Sequence, residues 1–77
     1  MTLLELNSVL IDLLEEAGFG SELYLIKMKA DALEVHFDHP GAVEYFRKEI
    51  ESSSYAKDLI FDTYKDGVRH VAHIQMW

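Results

Sequence analysis

The sequence predicts an α+β fold, a two-layer sandwich in which two helices pack on one face of a four-stranded, mainly antiparallel sheet. Apolar residues recur every three or four positions in two segments, and they alternate with polar residues in four others. The order is α-β-β-α-β-β within a single domain of residues 1–77. A permuted ferredoxin-like sheet with the second and fourth strands in the middle fits this order. A simple meander and a fold completed by a second copy are the alternatives that it leaves open.

The first segment has the period of a helix that buries one face. Thr2 and Glu5 have the spacing of a capping box, and Gly18 supplies a residue that accepts the left-handed conformation ending many helices. The apolar positions recur at spacings of three and four: Leu3, Leu6, Leu10, Leu13 and Ala17.

Residues 22–29 and 33–38 alternate as two strands of a hairpin. A two-residue turn at Asp31 and Ala32 sorts apolar side chains to one face and charged ones to the other, so a slip by one residue would mix the two sets. The pairs are then Ala30 with Leu33, Met28 with Val35, Ile26 with Phe37, Lys29 with Glu34, and Lys27 with His36.

The second helix is predicted from Pro40, which suits the first helical turn, to about Ser52. Val43, Phe46 and Ile50 give it a buried stripe, and the serines that follow break it.

Residues 58–77 contain Asp66 and Gly67, a strong signal for a hairpin turn. A two-residue turn there joins the more apolar sets and is preferred. It pairs Leu59 with Ile74, Phe61 with Ala72 and Thr63 with His70, whereas a three-residue turn would pair Tyr64 with Val68 and Asp62 with His70.

Fourteen acidic residues oppose seven basic ones, giving a formal net charge of -7. This charge repels phosphate backbones and anionic lipids, so we expect no direct nucleic-acid binding. A basic protein partner is compatible with it, as is mimicry of nucleic-acid charge.

The N-terminal run is apolar enough to resemble a signal peptide, yet it lacks a basic start and carries Glu5 and Asp12. No window approaches eighteen uninterrupted apolar residues, so we expect no membrane span. The chain has no cysteine, which excludes disulfides and thiolate metal sites and fits a cytoplasmic protein.

Two histidines and an aspartate crowd the stretch VHFDHPG at residues 35–41. His36 and Asp38 are predicted to point away from the helices, while His39 lies at the entrance of the second helix. Asp38 or His39 would cap exposed N–H groups, so this stretch is interpreted as a strand-to-helix junction.

A metal site is a more specific hypothesis for the histidines than a strand-to-helix junction. His70 and His73 lie three apart in a strand and must project from opposite faces, so they cannot share an ion. His36 and His73 share the open face, and Asp38 or Asp62 would add an oxygen ligand suited to Zn²⁺. These residues are weak candidates for metal ligands. No cofactor and no catalytic residue is predicted, because the chain has no cysteine nucleophile, no glycine-rich loop for a phosphate and no base at a meaningful spacing from its serines.

The face of the sheet opposite the helices is the predicted interaction surface, because it collects aromatic, apolar and arginine side chains typical of binding hot spots. Its predicted partner-binding residues are Leu25, Ile60, Tyr64, Arg69, Val71 and Trp77.

Function is therefore expected to be non-enzymatic: a small acidic protein-interaction module, regulating or inhibiting a larger protein. The open sheet face or the acidic helix surfaces would make the contact. The alternatives are a homodimeric structural protein and a small histidine- or metal-dependent enzyme. The acidic set on the helices comprises Glu5, Asp12, Glu15, Glu16, Glu44, Glu49 and Glu51.

Overall fold

The computed structural model describes every residue from Met1 to Trp77 and confirms the α+β sandwich. Both helices pack on one face of a single four-stranded sheet. Short 3₁₀ turns at Ser21–Leu23 and Ala56–Asp58 precede the two hairpins. In chain order the elements are α1 Leu3–Glu16, β1 Tyr24–Met28, β2 Ala32–Phe37, α2 Pro40–Glu51, β3 Leu59–Asp66 and β4 Arg69–Met76.

The strand order is β1-β2-β4-β3, and every neighbouring pair is antiparallel. The second and fourth strands therefore lie in the middle, as in the permuted ferredoxin-like arrangement, and a meander is excluded. β1 and β3 form the two edges.

Helix α1 begins and ends as its sequence predicts. Thr2 accepts a hydrogen bond from the Glu5 backbone N–H while the Glu5 carboxylate accepts one from the Thr2 N–H, completing the capping box. Gly18 follows the helix with φ +88°, a conformation that costs a residue without Cβ little.

Helix α2 differs at its start from the prediction. His39 is the N-cap, but neither its side chain nor that of Asp38 makes a capping hydrogen bond. The capping role predicted for these two residues is therefore wrong, and Pro40 compensates in part because the first turn does not use its missing N–H. At the other end, Ser53 Oγ donates to the Ile50 carbonyl at 2.6 Å.

The core lies between the two layers and joins both halves of the chain. Aromatic rings run through it in series, with centroid distances of 5.2 Å from Phe19 to Phe37, 5.8 Å from Phe37 to Phe46 and 6.3 Å from Phe46 to Phe61. The thirteen residues of the buried cluster are Leu6, Leu10, Leu13, Leu14, Leu33, Val35, Phe37, Val43, Phe46, Ile50, Leu59, Ala72 and Ile74.

The first hairpin keeps the predicted faces but not the predicted pairs. Its strands are shifted by two residues, because the turn lies at Ala30 and Asp31, one position earlier than predicted, and Lys29 N–H bonds across it to the Ala32 carbonyl at 2.8 Å. The observed partners are Leu25 with His36, Ile26 with Val35, Lys27 with Glu34, and Met28 with Leu33.

The second hairpin is also shifted by two residues. Its turn is at Gly67 and Val68 rather than Asp66 and Gly67, and the three-residue turn is excluded as well. Gly67 has φ +62° and no non-glycine residue has positive φ, which is the combination of a type II′ turn. The partners are Leu59 with Met76, Phe61 with Ile74, Thr63 with Ala72, and Tyr64 with Val71.

Candidate functional site: the open face of the sheet

Strand β2 is buried on both of its faces. Leu33, Val35 and Phe37 point into the core, as the alternation of a strand requires. Glu34 and His36 point to the open face, yet they are only 5% and 3% exposed. A carboxylate is rarely buried without partners, so the surroundings of Glu34 define the candidate site.

Four side chains converge on the Glu34 carboxylate, and we call these five residues the Glu34 cluster. The Tyr64 hydroxyl donates to Oε2 at 2.7 Å, and His73 Nδ1 lies 3.1 Å from the same oxygen. His36 Nε2 lies 3.3 Å from Oε1, and Lys29 Nζ lies 3.7 Å from it. Residues from β2, β3, β4 and the loop after β1 are thereby tied to one carboxylate.

Tyr64 reaches Glu34 by crossing the sheet, because β4 lies between their strands. Its ring must pass over β4, where Val71 is its cross-strand partner. Val71 is consequently 0% exposed. Val71, one of the predicted partner-binding residues, is therefore not accessible in this arrangement of the face.

Burial would raise the pKa of Glu34, but the hydrogen bonds from Tyr64, His73 and His36, with the charge of Lys29, outweigh it and lower that pKa to about 2. The same bond acts in reverse on the phenol. The hydrogen bond to Glu34, followed by burial and the nearby carboxylate charges, raises the pKa of Tyr64 to about 12. Glu34 is thus held ionised and Tyr64 neutral across the physiological range.

The ionised carboxylate fixes the protons on both histidines. Because it only accepts hydrogen bonds, His36 must carry a hydrogen on Nε2 and His73 on Nδ1. His36 Nδ1 is then left buried without a partner, which costs roughly 1–3 kcal/mol. His73 differs, because its side chain is 27% exposed and its Nε2 faces no hydrogen-bonding side chain.

The structure brings together His36 and His73, the two histidines proposed as metal ligands. It does so because both hydrogen-bond to the Glu34 carboxylate. Neither Asp38 nor Asp62 bonds to them, and no group of three or more histidine and carboxylate side chains is placed to hold an ion. The observed pattern is a hydrogen-bonded network around the Glu34 carboxylate.

Accessible side chains around Glu34, including Tyr64 of the Glu34 cluster, form what we call the rim. Leu25 and Tyr64 are each 45% exposed on opposite edge strands, and the C-terminal Trp77 is 85% exposed. Ile60 and Arg69 are partly exposed between them. Five of the six predicted partner-binding residues thus remain accessible.

Sequence reasoning placed Glu34 on the open face but missed its central role. The available signal was parity, because Glu34, His36, Tyr64 and His73 all fall on that face. A carboxylate sharing a face with two histidines and a tyrosine is a candidate network, although which of them reach it depends on strand order.

A scan of protein-family models and searches of curated proteins and solved structures found no significant match to the chain. No helix is both long enough and apolar enough to cross a membrane.

Proposed function

We propose that this protein is a small, acidic, cytoplasmic interaction module that binds another protein through the open face of its sheet. The supporting observation is the rim, where Leu25 and Tyr64 are each 45% exposed on a face that no helix covers and Trp77, directly after β4, is 85% exposed. Large aromatic and aliphatic side chains in this setting are typical anchors of protein interfaces.

The Glu34 cluster would prepare this face for binding. Its hydrogen bonds fix Tyr64 and His73 before any partner arrives, so less side-chain entropy is lost on association. The buried carboxylate already has its partners and adds little new desolvation cost. The module would therefore present a fixed polar centre and an apolar rim.

The net charge of -7 favours a partner whose contact surface is basic. Regulation or inhibition of a larger protein is the role we propose for such a contact. The acidic helix surfaces are the competing site, and the two sites respond differently to salt, because ion pairs between exposed charges are screened whereas apolar contacts are not.

Affinity capture from native extract tests the open face. Trp77→Ala and Leu25→Ala should each lose a captured protein that the wild type retains in high salt. Leu4→Ala is the matched control, since Leu4 is 73% exposed on α1 in the other layer. Equal loss in the control, or capture only in low salt, would contradict the open face and favour the acidic helices.

A second function, histidine-assisted acid–base chemistry, is favoured by one observation. Glu34 holds His73 by Nδ1 and leaves Nε2 on the accessible side, the way a buried carboxylate orients a catalytic imidazole. Cleavage of an activated ester should then fall more in His73→Ala than in His39→Ala. Equal rates would exclude this function.

A further inference from the structure

We propose that the free edge of β3 pairs with the same strand of a second copy, joining two sheets into one eight-stranded sheet. This inference goes beyond the open-face proposal and does not rest on it. It concerns backbone groups at an edge rather than side chains on a face.

The direction of each backbone group on β3 follows from one hydrogen bond. Trp77 N–H donates to the Asp58 carbonyl at 3.0 Å, so that pair is a hydrogen-bonded pair of the antiparallel ladder. Such pairs alternate along a ladder, which turns the backbone groups of the even-numbered residues from 58 to 66 toward β4. Those of Leu59, Phe61, Thr63 and Lys65 must point outward.

Apart from the Leu59 N–H, which donates to the Ala56 carbonyl, these outward groups are unpaired. None of the other backbone hydrogen bonds outside the regular elements, and none of the side-chain hydrogen bonds, involves the backbone of residues 60–65. β3 is eight residues long against five in β1, and it contains no proline and no interruption of its register. Proteins usually protect such an edge, because it is a template for strand pairing.

The side chains of β3 allow it to pair with itself about Thr63 without repulsion between like charges. A twofold axis at this residue places Asp62 opposite Tyr64 of the other copy and Phe61 opposite Lys65, with no like charges facing. Shifting the axis to Asp62 would oppose two aspartates, and shifting it to Lys65 would oppose two lysines. The axis at Thr63 also aligns outward backbone groups with outward groups.

The exposure of β3 agrees with this register. Its last five residues, Asp62–Asp66, are all exposed, although they belong to an eight-residue strand. Pairing about Thr63 would cover this half of the strand. The open faces of the two copies would then lie side by side in one surface.

Sedimentation and light scattering from about 1 μM to about 1 mM test the proposal. The wild type should show a dimer that strengthens with salt, because two chains of charge -7 repel. Thr63→Pro removes an outward N–H without touching the intrachain ladder and should weaken the dimer about tenfold or more. Thr63→Val keeps that N–H and should not.

Two further variants keep the result decisive. Thr63→Lys alters an exposed side chain, so folding is spared, yet it opposes two lysines at the axis and should also weaken the dimer. Trp77→Ala should leave the dimer intact. A wild type that is monomeric throughout, or a dimer that survives both Thr63→Pro and Thr63→Lys, overturns the proposal; a dimer lost only in Trp77→Ala would place the contact on the open face.

Discussion

Glu34 is the residue whose ionisation most affects the open face. Its pKa is about 2 in the folded chain against an ordinary 4.5, a difference worth roughly 3 kcal/mol. Because the folded pKa is the lower one, this stabilisation is complete above pH 4.5 and is lost as the pH falls toward 2. We expect Glu34→Gln to lower the unfolding free energy at pH 7 by about 2–3 kcal/mol and to flatten the acid limb.

Urea unfolding at several pH values between 7 and 2 checks this expectation. The matched control is Glu51→Gln, since Glu51 is exposed and makes no ion pair. An unchanged acid limb in Glu34→Gln would show that Glu34 does not couple folding to protons.

Tyr64 offers an independent reading of the same hydrogen bond at alkaline pH. With its pKa raised to about 12, it should be the last of the four tyrosines to ionise. Because the folded pKa is the higher one, its contribution to stability is present below pH 10 and is lost as the pH rises through 12.

Ultraviolet titration of the phenolate band measures this directly. The late step should vanish in Tyr64→Phe and move toward pH 10 in Glu34→Gln, where the acceptor is no longer charged. Loss of folded signal by circular dichroism before that step would assign it to unfolding instead.

The Glu34 cluster shows how much of a site can be predicted from the sequence. Strand alternation alone puts Glu34, His36, Tyr64 and His73 on one face. It does not show that Tyr64 crosses β4, because that reach depends on strand order and side-chain rotamers. The burial of Val71 cannot be predicted for the same reason, since it depends on which side chains of the neighbouring strands lie beside it.

The hairpins show the corresponding limit for secondary-structure elements. Both helices, four strands and the inward face of each strand follow from periodicity, but both hairpin registers are displaced by two residues. A shift of two keeps every side chain on its face, so the hydrophobic pattern cannot detect it. Only the turn fixes the register. Gly67 suits both the second position of a turn at Asp66 and Gly67 and the first position of the observed turn at Gly67 and Val68.

Gly67 makes the observed turn testable. At φ +62° an added Cβ is strained, so Gly67→Ala should destabilise the protein by about 1 kcal/mol. Gly41 is the matched comparison, because it lies in the first turn of α2 and a methyl group added there would have nothing within 4 Å. Gly41→Ala should stabilise by roughly 0.5–1 kcal/mol. Thermal unfolding of both variants gives the two signs, and the same sign in both would contradict the turn assignment.

At the scale of the whole molecule, the helix layer, the open face and the free edge of β3 all belong to one two-layer fold. The helices cover one face, the Glu34 cluster fixes the centre of the other, and β3 leaves one edge unpaired. Each proposed contact therefore uses a part of the sheet that folding itself leaves unused.

The charge of the whole chain provides the last prediction. A net charge of -7 on so small a protein opposes compaction, and salt screens this repulsion over about 10 Å at 0.1 M. Raising NaCl from about 0.02 M to about 0.5 M should therefore increase the unfolding free energy by up to about 1 kcal/mol. A variant with Glu15, Glu16 and Glu51 changed to lysine, which removes most of the net charge, should respond much less. Equal salt responses in urea unfolding would mean that specific ion binding, rather than repulsion, governs the effect.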